Sequence, residues 1–409
     1  MSIARWRALA SLEASNLVSA LSNAMVLLLI PWLVLAKGGS SLDAGVVVAI
    51  AALPGVVLIP LAGTLVDRIG ARVVAIISDA LSALSVILFP IVAAVDLLTL
   101  PMLIALATLG AAFDPVGYAA RKALIPPVAH RSRVSLAQLN SVHEAVFGAA
   151  WVIGPALAGG LIALVGTSAG FIAAGAMFAL AGAAMATLRV TSTLMSADER
   201  GLGLLAETRD GLRALWRDPL LRVITLAIVV LAGVYLPIEG VLLPTWFESR
   251  SEPATLGLIL AAAAVGGVVG ALAYPWLSAR VSTRILFSVC AVGSGVVLLP
   301  MAALPPAVPF IALGLLLGLL WGPVNPLLNT LVQTRIPAGM QGRAFGLQTA
   351  LFSAAPPIGY LVTGVATLTM GVSVVFLIIA VLLIIVGLAA TVWVYRIDAA
   401  ARPEGAAGN

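Results

Sequence analysis

Five carboxylates lie inside long apolar stretches of the sequence, where an unpartnered charge is costly. They are Glu13, Asp79, Asp114, Glu144 and Glu239. Acidic residues in such segments face a cavity, a charged partner or a route for protons. An isolated carboxyl in an apolar setting keeps its proton, and water or a cation that enters a cavity releases it. We therefore predict proton exchange at Glu239, Asp114, Glu144 and Glu13, and a structural role for Asp79.

Two of these predictions have a simpler alternative. Glu13 is close to the start of its segment, where its side chain would reach the membrane interface. Asp114 and Arg121 lie seven residues apart on one helix face, so an ion pair between them would explain Asp114. Glu144 and Glu239 have no basic neighbour in the sequence, which favours proton exchange at both.

Polar and aromatic side chains recur at helical spacing around these carboxylates. Tyr118 follows Asp114 by four residues, and Asn325 and Asn329 follow Trp321 at the same interval. Aromatic residues in such positions are otherwise core or interface residues. The candidates for the wall of a ligand cavity are Asn23, Tyr118, Tyr235, Trp246, Trp321, Asn325 and Asn329.

The composition is that of a polytopic membrane protein. Of the 409 residues, 62% are hydrophobic and 10% are charged, and the mean hydropathy is +1.15. A soluble domain has about 25% charged residues. The apolar runs are roughly 20 residues long, which fits membrane-spanning helices and not the strands of a barrel. We predict an all-α membrane protein with about twelve transmembrane helices.

The breaks in hydropathy divide the chain into two bundles of six spans each. The first bundle covers residues 1–190, a polar cytoplasmic linker covers 191–218, the second bundle covers 219–398, and a cytoplasmic tail covers 399–409. The two halves echo each other, because Phe113-Asp114-Pro115-Val116 in the fourth span matches Trp321-Gly322-Pro323-Val324 in the tenth. Internal repeats of this kind are typical of transporters.

The basic residues orient the chain. Only Lys37 and Arg250 of the 22 Lys and Arg lie on the far side of the predicted topology, and the net charge is +5. The positive-inside rule explains this excess, so the charge is no argument for nucleic acid binding. We expect a multi-pass protein of the cytoplasmic (inner) membrane with both termini in the cytoplasm. The single cysteine, Cys290, excludes an internal disulfide.

A charged loop follows the second span, with the sequence Gly63-Thr-Leu-Val-Asp67-Arg68-Ile-Gly70-Ala-Arg72. Gly70 permits backbone angles that a side chain would forbid. Arg68 and Arg72 mark the cytoplasmic side. The pattern G-x-x-x-D-R-x-G-x-R resembles the first signature motif of the major facilitator superfamily, which lies between its second and third helices.

The fifth span carries a second motif. Gly154-Pro155 followed by Gly159-Gly160 resembles the antiporter signature G-P-x-x-G-G, except that three residues separate the proline from the glycine pair. Small residues allow helices to approach closely in lipid. The predicted packing partner is the segment from Gly266 to Gly270 in the eighth span.

Further stretches resemble the drug-exporting branch of the superfamily, which includes the macrolide-efflux proteins and the mycobacterial Tap-type multidrug exporters. They are residues 31–35, 139–145, 235–244, 321–326 and 342–346. Two positions depart from the pattern. Asn23 stands where relatives often carry an acidic residue, and Asp114 stands where a small residue is common. The fourth-span arginine signature of many proton antiporters is also missing, with Ile104 near its place.

The resemblance implies the major facilitator fold, with two pseudo-symmetric six-helix halves around a cavity. It implies a secondary exporter of amphipathic small molecules, driven by proton antiport with alternating access and acting as a monomer in the bilayer. No cofactor, metal or nucleic acid is implied. Asp67 would face the start of the eleventh span near Arg343. The gate residues would be Gly63, Asp67, Arg68, Gly70, Arg72, Gly154, Pro155 and Arg343.

Two alternatives stay open at this point. One is an exporter dedicated to an endogenous metabolite, such as a siderophore, lipid or secondary product. The other is a membrane receptor without transport activity, or an intramembrane enzyme. The enzyme is disfavoured because the chain has only His130 and His143, and no nucleophile stands at a suitable spacing from a base.

Overall fold

The computed structural model describes residues 3–189, 216–336 and 338–400, which form helices and no strands. The first part of the chain contains seven helices: α1 (Ile3–Ala36), α2 (Ser41–Ile69), α3 (Ala71–Ala94), α4 (Leu100–Ala123), α5 (Ile125–Ser132), α6 (Leu136–Val165) and α7 (Thr167–Thr187). The predicted cytoplasmic linker and tail lie almost entirely outside the described residues.

The second part begins with α8 (Pro219–Pro237), which a π-helical turn (Ile238–Leu242) joins to α9 (Leu243–Glu248). It continues with α10 (Pro253–Ser278), α11 (Thr283–Met301), α12 (Ala307–Trp321), α13 (Val324–Arg335), α14 (Ala338–Met370) and α15 (Val372–Ala400).

The predicted all-α membrane fold is confirmed. Within the described residues, eleven stretches are helical, long and apolar enough to cross a membrane, and a shorter apolar helix covers Ser41–Val56 within α2. These twelve segments correspond to the predicted spans. The short helix α5, which follows α4 directly, was not anticipated by the hydropathy breaks.

The charged loop after the second span is shorter than the sequence suggested. Helix α2 continues through Arg68 to Ile69, and α3 begins at Ala71. Gly70 alone makes the turn, with a φ of 90°, a region that glycine adopts without strain. The glycine was therefore correctly identified as the turn residue, whereas most of the predicted loop is helical.

Two predicted spans are interrupted in the second half. Pro237 ends α8, and the π-turn that follows widens the helix before α9 begins at Leu243. The predicted tenth span is broken at Gly322 and Pro323, between α12 and α13. Proline removes a backbone donor and disrupts the preceding turn, which explains both interruptions.

Side-chain caps fix the starts of several helices. Ser40 caps α2 in a reciprocal arrangement with Asp43, and Ser135 caps α6 in the same way with Gln138. Asp218 caps α8 by accepting hydrogen bonds from the backbone amides of Leu220 and Leu221 at 2.9 and 3.0 Å. Burial would raise the pKa of Asp218, but the Leu221 amide and the Arg335 guanidinium outweigh it and hold that pKa below its usual value.

The chain divides into two compact units. The first contains α1–α7 together with Glu239–Ala261 and Tyr360–Thr369. Its core joins α1, α3, α4 and α7 through buried side chains that include Leu12, Val74, Val116 and Met185. The second unit contains the rest of the described chain from α8 onward, with α15 packed against α11 and α8.

Candidate functional site

The first unit encloses a cavity with a volume of about 410 Å³. Its wall is largely apolar and comes from α1, α2, α4, α6 and Tyr360. The side chains able to recognise a ligand are Asn23, Asp114, Tyr118, Phe147, Trp151 and Tyr360. A mainly apolar cavity with a few polar groups is the usual form of a small-molecule site.

One wall of the cavity is a row of aromatic rings. The Tyr118 and Phe147 ring centroids lie 4.8 Å apart, and those of Phe147 and Trp151 lie 6.1 Å apart. The buried indole nitrogen of Trp151 has no hydrogen-bond partner in the described part of the chain. A buried indole N–H normally finds an acceptor, so this group is suited to bind a polar atom of a ligand.

The acidic group in the cavity wall is Asp114, which lies on α4. Its carboxylate accepts a hydrogen bond of 2.7 Å from the Ser82 hydroxyl on α3. The predicted ion pair between Asp114 and Arg121 is wrong, because the Arg121 guanidinium binds both carboxylate oxygens of Asp79 at 2.5 Å. Asp114 is therefore the carboxylate that a positively charged ligand would meet.

The pair of Asp79 and Arg121 is almost completely buried, with side-chain exposures of 1% and 4%. Arg121 also donates to the Ser15 hydroxyl at 3.2 Å, and the Ser19 hydroxyl donates to Asp79 at 2.9 Å. The network ties α1, α3 and α4 together, which supports the predicted structural role of Asp79.

Glu144 has a basic partner that the sequence did not reveal. The Lys122 ammonium lies 2.7 Å from its carboxylate, and the Tyr118 hydroxyl lies 3.4 Å away. Lys122 also lies over the Tyr118 ring, 4.6 Å from the centroid. Because Lys122 and Glu144 are exposed, this pair is at the surface and not inside the cavity.

Glu13 does not extend to an interface. It is 8% exposed and lies 3.1 Å from the imidazole Nδ1 of His143, which is fully buried on α6. Asn16 donates to the backbone carbonyl of His143 at 3.0 Å. His143 thus serves packing and hydrogen bonding, and Glu13 is its partner.

Glu239 lies in the π-turn between α8 and α9 and is partly exposed. The next residue, Gly240, packs against the ring of Tyr360, since a Cβ added at Gly240 would lie 2.7 Å from Tyr360 Cε1. Tyr360 lines the cavity of Asp114. Glu239 is thus one residue away from a contact with the cavity wall.

The remaining cavity candidates are not among the residues that line this cavity. Trp246 is not part of the cavity wall and stacks under the guanidinium of Arg250 at 4.0 Å. Tyr235 and Trp321 belong to the second unit, where their rings stack at 5.0 Å. Asn325 and Asn329 are exposed on α13 in the same unit.

Aromatic residues of α6 were missed by the sequence analysis. Phe147 and Trp151 follow His143 at intervals of four residues, so all three lie on one helix face. That spacing can be read directly from the sequence. Nothing in the sequence indicated Tyr360.

The second motif makes close helix contacts in the first unit. Gly154 packs against α1, where an added Cβ would lie 2.5 Å from that of Ala24. A Cβ at Gly257 would collide with the carbonyl oxygen of Pro155, so α6 and α10 touch backbone to backbone. The eighth span is therefore the partner as predicted, but through Gly257, because Gly266 and Gly270 pack against α12.

The structure describes only some of the side chains of the first motif. Arg68 is exposed, and Arg72 donates hydrogen bonds to the carbonyl oxygens of Met185 and Ala186 at the end of α7. Gly63 lies within α2, and the structure does not describe the side chains of Asp67 and Arg343. The predicted contact between Asp67 and the region of Arg343 stays a prediction.

Comparison with known proteins gives matches along most of the chain. A sequence model described as Major Facilitator Superfamily matches residues 13–353 and 240–408. "Multidrug efflux pump Tap" of Mycolicibacterium fortuitum is 36% identical over 381 residues, which cover 91% of this chain and 92% of that protein. The protein of the same name from Mycobacterium tuberculosis (strain ATCC 25618 / H37Rv) is 35% identical over 383 residues, covering 92% and 91%.

A solved structure shows the same fold. The crystal structure of the nucleoside transporter NupG superposes with a TM-score of 0.78 over 94% of this chain and 98% of that one, at 12% sequence identity. At that identity the likeness concerns the fold alone.

Proposed function

The chain belongs to the Major Facilitator Superfamily, and from that premise we propose that it exports amphipathic, positively charged small molecules across the cytoplasmic membrane in exchange for protons. The names of its Tap relatives support drug efflux. Family membership places the chain among transporters and not among enzymes. Export of this kind would contribute to antibiotic resistance.

The observation that carries the proposal is the cavity of the first unit. A single carboxylate, Asp114, stands among the lining residues, and the rest of the wall is apolar or aromatic apart from Asn23. A hydrophobic cation satisfies both features, because its charge pairs with the carboxylate and its body packs against Tyr118, Phe147 and Trp151. An uncharged ligand would leave Asp114 without a counter-charge.

Proton coupling follows from competition at the same group. A carboxylate in an apolar cavity binds either a proton or a cation, so a proton that enters displaces the substrate. We assign this role first to Asp114 and second to Glu239, which lies beside the Gly240–Tyr360 contact. Glu13 and Glu144 are weaker candidates, since His143 and Lys122 already partner them.

The conformational cycle is proposed to be alternating access between two six-helix halves, residues 1–190 and 219–398, in a monomer. Gly154 and Pro155 would act through the close contacts of α6 with α1 and α10. Asp67 would hold the cytoplasmic side closed together with Arg343, and Gly63, Arg68, Gly70 and Arg72 would shape that turn.

The proposed orientation places both termini in the cytoplasm and gives a labelling prediction. On a Cys290→Ala background, a cysteine introduced at Ser251 should react with an impermeant thiol reagent added outside intact cells. One introduced at Thr283 should react only after the membrane is opened. Both positions are exposed, so burial does not protect either one. The reverse pattern would contradict the positive-inside assignment.

The proposed function predicts a specific transport result. Proteoliposomes with the purified protein should move a fluorescent lipophilic cation against its gradient when a proton gradient is imposed, and a protonophore should abolish this movement. An uncharged analogue of similar size should be moved at less than about one tenth of that rate, because it cannot pair with Asp114. Transport that is unaffected by the protonophore would refute proton antiport. Equal transport of the uncharged analogue would refute the role of charge.

A further inference from the structure

A second cavity lies in the first unit, at the ends of α1, α5 and α7. Its volume is about 570 Å³, and arginines from three chain segments line it: Arg7 on α1, Arg131 on α5 and Arg189 just after α7. Ser11 and Thr187 complete the polar part of the wall and bond to each other at 2.8 Å, which connects α1 to α7. The cavity of Asp114 shares none of these residues.

The positive charge of this cavity is not balanced by the described protein. Arg121, Lys122 and Arg335 each form an ion pair with a carboxylate, whereas no described acidic side chain pairs with Arg7, Arg131 or Arg189. Three exposed guanidinium groups around one concavity repel one another. An anion between them, or water with mobile counter-ions, would offset this repulsion.

The negative backbone end of α7 beside this cavity is already occupied. Helix α7 ends at this cavity, and its last carbonyl groups would carry the negative pole of the helix dipole. Arg72 already donates to the carbonyl oxygens of Met185 and Ala186. Arg72 therefore takes up the negative end of α7, and the last turn of α5, which carries Arg131, is the other helix C-terminus beside the cavity.

The arginine cavity lies at helix ends that correspond to the headgroup layer of a membrane. The first candidate span begins at Trp6, beside Arg7, and Trp6 is 53% exposed. Tryptophan at the end of a span is typical of the membrane–water interface. The eight-residue helix α5 buries Ile125, Val128 and Ala129 and leaves Arg131 exposed, so its charged side faces the same layer.

We propose that this arginine cavity binds the phosphate group of an anionic phospholipid. Guanidinium groups bind phosphate oxygens through paired, charge-assisted hydrogen bonds. Basic pockets at the headgroup level of transmembrane helices recognise anionic lipid headgroups. A free phosphate shares this chemistry, but the interfacial Trp6 favours a ligand held in the bilayer. This site is separate from the transport cavity, and lipid binding here does not depend on the proposed substrate or on proton coupling.

The test measures the lipid directly. The wild-type protein and the variant Arg7→Gln/Arg131→Gln/Arg189→Gln are extracted in mild detergent from membranes that contain phosphatidylglycerol and phosphatidylethanolamine, and the bound lipid is quantified by mass spectrometry. We expect the amount of phosphatidylglycerol bound per protein to fall by about tenfold or more in the variant. The amount of bound phosphatidylethanolamine should not change. Elution as a single folded species on size exclusion shows that the variant is intact.

A matched control separates the cavity from general charge. The variant Arg217→Gln/Arg280→Gln/Arg396→Gln also loses three positive charges, but at exposed positions outside the cavity. It should retain as much phosphatidylglycerol as the wild type. Equal loss in both variants, or loss in neither, would overturn the proposal. A further arm adds millimolar inorganic phosphate to the wild type. Displacement of the lipid by phosphate at that concentration would show that a free anion is the ligand and would overturn the lipid assignment.

Discussion

Replacement of Asp79 by asparagine is expected to lower the free energy of unfolding by about 3–5 kcal/mol, the usual cost of leaving a buried charge without its partner. The charge left behind is that of Arg121, whose side chain is 4% exposed. Asparagine cannot supply the charge that holds the guanidinium, and water has little access to this position. The fraction of folded protein in detergent, followed by size exclusion during heating, measures the effect.

Two further variants identify the unpaired arginine as the cause. Ser19→Ala removes one hydrogen bond to the Asp79 carboxylate and leaves the ion pair intact, so it should cost only about 1 kcal/mol. The double variant Asp79→Leu/Arg121→Met removes both charges and should be clearly more stable than the single variant. A double variant as unstable as Asp79→Asn would show that packing, and not the buried charge, determines the loss.

The ion-pair partner of Arg121 could not be predicted from residue spacing along a single helix. Residues seven apart lie on the same face, but a rise of about 1.5 Å per residue separates them by about 10 Å along the axis. A carboxylate on a neighbouring helix can come much closer. Asp79 on α3 does so for Arg121, and Ser82, also on α3, donates a hydrogen bond to Asp114 on α4. Which side chains pair between α3 and α4 depends on how the two helices pack against each other. Residue spacing in the sequence does not determine that packing.

The membrane fold was easier to predict than the site. Long apolar stretches must form helices in lipid because no water satisfies their backbone, so the spans follow from hydropathy. Asn23, Asp114 and Tyr118 line one cavity of the structure, and polar residues in membrane-spanning helices usually face a cavity, a partner or a proton route. Tyr360 reaches the same cavity from a distant part of the chain, and Trp246 turns to Arg250 instead. Both outcomes depend on tertiary packing.

Two of the carboxylates have partners that could not be predicted from the sequence. In the sequence, Glu144 appeared unpartnered, but the end of α4 brings Lys122 to it within 2.7 Å. Glu13 is likewise occupied by His143. With these partners known, Asp114 stands out as the cavity carboxylate with only a hydroxyl against it. This shifts the leading proton-coupling role from Glu239 to Asp114.

Replacement of Asp114 by asparagine is therefore expected to abolish proton-driven export of a lipophilic cation and to weaken its binding about 10- to 100-fold. A charge-assisted interaction contributes about 1.5–3 kcal/mol, which corresponds to that range of affinity. Asparagine matches aspartate in size and still accepts a hydrogen bond from Ser82, so the cavity should keep its shape. Binding is measured by fluorescence quenching in detergent, and coupling by a pH-sensitive dye trapped in proteoliposomes.

Glu144→Gln is the matched control, since it makes the same carboxylate-to-amide change in the same unit at an exposed ion pair. Exposed pairs contribute about 0–1 kcal/mol, so cation binding should fall by less than about fivefold and proton movement should persist. Ser82→Ala, which keeps the Asp114 carboxylate, should also remain coupled. If the Asp114→Asn protein still moves protons with the cation at the wild-type rate, Asp114 is not the coupling group. Glu239 in the π-turn would then become the group to replace next, because Gly240 beside it touches the Tyr360 ring in the cavity wall.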